Sequence, residues 1–126
     1  MLQANVLLVD DETEFALALA ERLRLRSYDA RAVFHVEDAI AAVQSASPDV
    51  VLLDFRMPGM DGIEVLKIIK KIDPTIEVIM LTGHGDVRSV EEAIRNGAYE
   101  YIMKPLDLGE LIMKINNAKK KRNSIS

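Results

Sequence analysis

The chain contains no cysteine. Disulfides, thiolate metal sites and a cysteine nucleophile are therefore excluded, and the absence fits an intracellular home. No apolar run approaches the ~20 residues that a membrane helix needs. No signal peptide is recognisable, because the first apolar segment is short and soon meets Asp10 and Asp11. A cytoplasmic location is the expectation. A strong excess of one charge is also missing: the formal net charge is −4 over 126 residues, which argues against nonspecific binding to nucleic acid. Lys119-Lys120-Lys121-Arg122 is the one basic cluster, expected to solvate and cap the end of a helix, where the dipole favours cations. Internal repeats, low-complexity tracts and linkers are absent as well. With 49% hydrophobic residues, the length suits one domain with its own core. A single domain is expected over 1–126, with 118–126 as helix end and tail.

What is present is organised around Val50-Val51-Leu52-Leu53-Asp54. The four apolar residues run without alternation, as in a strand buried on both faces of a parallel sheet. Pro58-Gly59 then prevents direct continuation. Asp54 thus lies at the carboxyl end of a central strand, the end where open α/β sheets keep their ligands. Taken alone, it is as readily a loop residue or a helix cap.

The rest of the chain alternates strand and helix. Asn5 to Val9 reads as a strand running into Asp10-Asp11-Glu12, and Phe15, Leu19 and Leu23 mark a helix from Thr13 to about Leu25. Tyr28 to Phe34 carries Asp29 and Arg31 on alternate positions, as an edge strand does, and Val36 to Ala46 is a small Ala-rich helix. Asp61 with Glu64 resembles a capping box for a helix that Asp73-Pro74 ends. Ile76 to Leu81 is a strand interrupted only by Glu77, closing on Thr82-Gly83-His84-Gly85. A short helix from Val87 to Arg95 stops at Asn96-Gly97. Tyr99 to Met103 is the fifth strand, and Asp107 to Glu110 opens a last helix through about Lys120. Five such alternations with short connections imply a parallel sheet with helices on both faces.

The polar residues then fall at one edge of that sheet: Asp10 and Asp11 after the first strand, Asp54 after the third, Thr82 after the fourth, Lys104 after the fifth. Three carboxylates in one crevice repel unless a cation joins them. An oxygen-only set favours Mg²⁺, Mn²⁺ or Ca²⁺ over zinc, and the Arg56 carbonyl is placed to add another oxygen. Lys104 and the Thr82 hydroxyl supply donors for phosphoryl oxygens, and Gly83 leaves room for a tetrahedral group. The set describes a phosphoryl-transfer site. With no Ser, Cys or His ending the central strand, Asp54 is the best candidate nucleophile.

Val9-Asp10-Asp11-Glu12, Leu53-Asp54-x-x-Met57-Pro58-x-Met60-Asp61-Gly62, Leu81-Thr82-Gly83 and Lys104-Pro105 together resemble the receiver domain of two-component response regulators. The resemblance runs nearly end to end and in order. It implies a flavodoxin-like α/β sheet of order 2-1-3-4-5, doubly wound. It implies that Asp54 accepts a phosphoryl group from a histidine kinase, that Asp10, Asp11, Asp54 and the Arg56 carbonyl hold Mg²⁺ (or Mn²⁺), and that Thr82 and Lys104 grip the phosphoryl oxygens. The Lys104-Pro105 bond is cis in the family. Its switch aromatic corresponds to Tyr101, coupled to Thr82, and the fourth helix, fifth strand and fifth helix form the responding surface. His84 and Arg56 stand at the rim, where the family tunes phosphoryl lifetime. Implied partners are a sensor kinase, a downstream protein or output domain, and a second copy on phosphorylation, with neither membrane nor direct nucleic-acid contact.

Two other functions compete with this reading. One is an unphosphorylated receiver-like binding module, against which the full acidic set speaks. The other is a Mg²⁺-dependent phosphohydrolase using an aspartyl phosphate. Haloacid-dehalogenase-like enzymes of that kind carry a second Asp two residues after the nucleophile, where this chain has Arg56. The expectation is a phosphoacceptor with at most slow self-dephosphorylation, not a turnover enzyme.

Overall fold

A computed structural model describes residues 3–57, 59–83 and 87–125. Among them, five parallel strands form one sheet: β1 (Asn5–Val9), β2 (Asp29–Val33), β3 (Val50–Asp54), β4 (Glu77–Thr82) and β5 (Glu100–Met103). Their order is β2-β1-β3-β4-β5, so β3 is central and β2 and β5 are the edges. Five helices alternate with them: α1 (Thr13–Leu25), α2 (Val36–Ser45), α3 (Gly62–Ile72), α4 (Val87–Arg95) and α5 (Leu108–Ile125). This is the flavodoxin-like arrangement that the sequence led us to expect.

Two cores follow from the period of two along each strand. Val50 and Leu52 of β3 face one side, packing with Leu19 and Leu23 of α1 and Leu111 and Ile115 of α5. Val51 and Leu53 face the other, packing with Val43 of α2, Leu66 and Ile69 of α3 and Ala93 of α4. Every residue of β3 is buried, which is why its sequence shows no polar alternation. The edge strand β2 does alternate, with Asp29 and Arg31 exposed.

Local chemistry sets the helix ends. Asp61 caps α3, its Oδ1 accepting the Ile63 N–H at 2.9 Å. Asp107 accepts the Gly109 N–H at 3.0 Å and opens α5. Gly97 closes α4 with φ of +104°, a left-handed turn that costs glycine little.

Two features depart from expectation. After β3 the chain forms a short antiparallel ribbon, Arg56–Met57 with Met60–Asp61, where the sequence suggested only a loop. Gly59 turns it with φ of +86°. The second departure is α5, which continues past Lys120 to Ile125, so the basic cluster is helical. Its cations are not simply solvated. Arg122 Nη1 lies 2.7 Å from Asp49 Oδ1 and Nη2 lies 3.4 Å from Asp73 Oδ2. Lys121 stands 3.3 Å from Glu77, which is buried at the start of β4. Acidic residues at the amino edge of the sheet thus bind the end of α5 down. Among the described residues, no helix is long and apolar enough to cross a membrane.

Candidate functional site

The register of the sheet builds the site. Asp54 pairs with Leu81, so Thr82 stands one residue beyond, and Thr82 in turn pairs with Met103, just before Lys104. Val9 pairs with Leu53, so Asp10 follows β1 as Asp54 ends β3. The carboxyl ends of four strands therefore converge. The Lys104 N–H donates to the Thr82 carbonyl at 2.8 Å, tying the last two together. The peptide bond between Lys104 and Pro105 is cis, in line with the resemblance.

A cleft of about 700 Å³ opens at this edge, lined by Asp11, Asp54, Arg56, Thr82, Gly83 and Lys104 among others. Asp10 lies beneath it, fully buried, and Asp54 and Thr82 are nearly so. Asp11 lines the cleft with its side chain exposed, and the Arg56 side chain is exposed at its rim. His84, assigned to the rim by resemblance, lies outside the described residues, as does Pro58 of the Met57-Pro58 motif.

The carboxylates that approach one another are Asp10, Glu12 and Asp54, each offering an oxygen within 4.8 Å of the others. Glu12 was not among the site residues read from the sequence. Among the described residues Asp11, which was, does not belong to this close group. Lys104 supplies the positive charge: its Nζ donates to Asp10 Oδ2 and Glu12 Oε1, both at 2.7 Å, and lies 3.9 Å from Asp54 Oδ1. The same ammonium sits 4.5 Å from the centre of the Phe15 ring. Asp10 Oδ1 accepts the Glu12 N–H at 2.9 Å, which fixes the turn into α1.

These contacts set the electrostatics. Burial, then the neighbouring Asp10 charge, pushes the Asp54 carboxyl up to about 6, against the opposing pull of Lys104 and of the Arg56 backbone N–H. Burial alone lowers the Lys104 ammonium. Hydrogen bonds to Asp10 and Glu12, with the charges of Asp10 and Asp54, outweigh it and leave the pKa above the usual lysine value.

Gly62 supports the strand end from below. A Cβ at this position would stand 2.7 Å from the Phe55 carbonyl oxygen and 3.0 Å from that of Asp54. Its own N–H donates to the Phe55 carbonyl at 3.0 Å. The first residue of α3 is thus pressed against the backbone that carries Asp54.

The family model described as the response regulator receiver domain matches residues 6–116. This chain belongs to that family. As a receiver domain it is a phosphoacceptor module of two-component signalling. It is 39% identical over 118 residues to the DNA-binding transcriptional regulator NtrC of Proteus hauseri, a match covering 94% of this chain and 25% of the relative. It is 36% identical to sporulation initiation phosphotransferase F of Bacillus subtilis, covering 88% of this chain and 90% of the relative. Its receiver fold superimposes on a response regulator receiver domain protein from Clostridium thermocellum with a TM-score of 0.92 at 32% identity, covering 98% of this chain and 99% of that one. The chain spans only 25% to 30% of the length of NtrC and the two transport regulators it also resembles.

Proposed function

We propose that Asp54 is the phosphoacceptor and that this domain receives its phosphoryl group from the phosphohistidine of a sensor kinase. The observation that carries the assignment is the placement of Asp54 at the floor of the cleft, on the central strand, with Lys104 3.9 Å away. A carboxylate oxygen of Asp54 attacks phosphorus, the P–N bond breaks, and the imidazole departs with the electron pair. Lys104 and the Thr82 hydroxyl then meet the phosphoryl oxygens, in the space above Gly83.

The donor set fits a hard divalent cation. Asp10 and Asp54 offer oxygens only, close enough to share one ion, and the Lys104 ammonium now holds the corresponding positive charge among them. Asp10, Asp11, Asp54 and the Arg56 carbonyl are the residues we assign to Mg²⁺, with Mn²⁺ as substitute. When bound, the ion neutralises charge on the transferring group.

Tyr101 is the switch residue in this reading. It is partly exposed on β5, beside Lys114, whose Nζ donates to its carbonyl at 2.9 Å. As Thr82 moves toward the phosphoryl group, Tyr101 turns inward, and the surface of α4, β5 and α5 is reset. That surface meets a downstream protein, an output domain or a second copy. Arg56 and His84 set water access and hence phosphoryl lifetime. The domain works in the cytoplasm as one unit, without membrane or nucleic-acid contact of its own, and shows slow self-dephosphorylation rather than turnover of phosphomonoesters.

The test is Mg²⁺-dependent labelling of the purified chain by phosphoramidate, read as the mass gain of one phosphoryl group. Labelling is expected in the wild type and lost in Asp54→Asn or with chelator. Equal labelling of Asp54→Asn would overturn the assignment. Sustained hydrolysis of a generic phosphomonoester would replace the receiver reading with the phosphohydrolase one.

A further inference from the structure

Glu12 has no part in the scheme above, yet it makes one of the two 2.7 Å contacts of Lys104. The lysine carries an ammonium with three N–H donors. One is directed to Asp10, one to Glu12, and Asp54 lies beyond hydrogen-bond distance at 3.9 Å. The Phe15 ring shelters the ammonium from below. Lys104 is thus drawn toward the α1 side of the cleft. While both contacts hold, only one of its N–H donors is left for a phosphoryl group on Asp54.

The two partners differ. Asp10 is fully buried, so its charge is held in place whatever Lys104 does. The Glu12 side chain is 63% exposed and can turn into water once released. Its backbone is fixed, because the Glu12 N–H is bonded to Asp10 and its carbonyl accepts the Ala16 N–H at 2.9 Å. A carboxylate on a rigid base, in reach of the lysine but outside the reacting pair, has the geometry of a competitor.

We propose that Glu12 is a positioning residue that holds the Lys104 ammonium on the α1 side of the cleft in the unphosphorylated protein and competes with the phosphoryl group for it. Lys104 then serves as a divided donor, and the strength of the Glu12 contact sets how readily it transfers. The exposure of Glu12 keeps the contact weak, so it tunes the site without blocking it. This rests on Asp54 being the phosphoacceptor.

The rival role for Glu12 is as an added oxygen ligand to the divalent ion, since it also approaches Asp54. The two are separated by a double-mutant cycle. The full chain is titrated with beryllofluoride at saturating Mg²⁺ and followed by fluorine NMR, as wild type, Glu12→Gln, Lys104→Met and the double variant. Glu12→Gln is expected to bind about two- to five-fold more tightly than wild type, the range of an exposed ion pair. In the Lys104→Met background the substitution is expected to make no difference. Independently, the Lys104 ammonium signal of the ligand-free protein should shift in Glu12→Gln. Unchanged or weaker binding in Glu12→Gln, the same gain in both backgrounds, or an unmoved ammonium signal overturns the proposal. Wild-type protein that binds no beryllofluoride would sink the phosphoacceptor reading and this proposal with it. Normal wild-type binding that Glu12→Gln leaves unaltered sinks the proposal alone.

Discussion

Asp54 is a charge that the fold disfavours until something neutralises it. Burial and the Asp10 charge push its carboxyl from 3.8 up to about 6, so the folded protein keeps this proton over a range where the unfolded chain has lost it. Stability from this group is therefore full below about pH 4, declines as pH rises toward about 6, and is lost above that. In chelator at pH 7, Asp54→Asn should be more stable than wild type by about 1–3 kcal/mol, and the gap should close toward pH 4. Urea unfolding at several pH values checks this. Gly62 makes the opposite case. Alanine ordinarily replaces a helical glycine without loss, because it gives up less conformational freedom on folding. Here the added methyl meets the Phe55 and Asp54 carbonyls, both backbone atoms that cannot swing aside. Gly62→Ala should cost about 1–3 kcal/mol of thermal stability and slow phosphoramidate labelling. Asp54 was legible in the sequence because an unbroken apolar run leads into it. Glu12 was not, because its partner Lys104 is 92 residues away and a surface glutamate after two aspartates has no periodicity to mark it.

The end of α5 is fixed by side chains that no local pattern predicts. Lys119 to Arg122 reads as a soluble basic run. Its partners Asp49, Asp73 and Glu77 come from two different loops and the first residue of a strand. Glu77 was the one hint, a charge inside an otherwise apolar strand, and the fold buries it. Neither of its carboxylate oxygens has a hydrogen bond among the described residues, and Lys121 and Lys70 at 3.3 and 3.7 Å face its charge. Arg122→Ala should lower stability by about 1–2 kcal/mol and fray the last turn of α5, seen as faster amide exchange there. Asp73 supplies the pH dependence of this pole. Hydrogen bonds from Ser47 and Thr75 hold its carboxyl down to about 2. Its contribution is present above about pH 4 and is lost as pH falls through about 2. Asp73→Asn should remove that step from an acid-unfolding series. Most helix and strand boundaries were read to within a residue or two, because the apolar period and local cap and turn residues fixed them. The end of α5 was missed because polar contacts across the fold set it.

At the scale of the whole molecule, the sheet separates two kinds of polar chemistry. The carboxyl edge holds a lysine shared between carboxylates, and the amino edge holds arginine and lysine in fixed pairs. Between them, α4, β5 and α5 present a surface on which Ile94, Tyr101, Met103 and Met113 are exposed. With beryllofluoride and Mg²⁺, backbone NMR shifts should extend from the cleft across this surface. In Tyr101→Ala they should stay confined to the cleft while labelling of Asp54 persists. Shifts of equal reach in that variant would remove Tyr101 from the switch. The pinning of α5 beside the start of β3 has a practical corollary. Five extended residues at ~3.3 Å each separate that point from Asp54. A fluorophore or surface tether attached at the last turn of this helix therefore stands on the far pole, clear of the phosphodonor's approach, and rides on a rigid mount instead of a floppy tether.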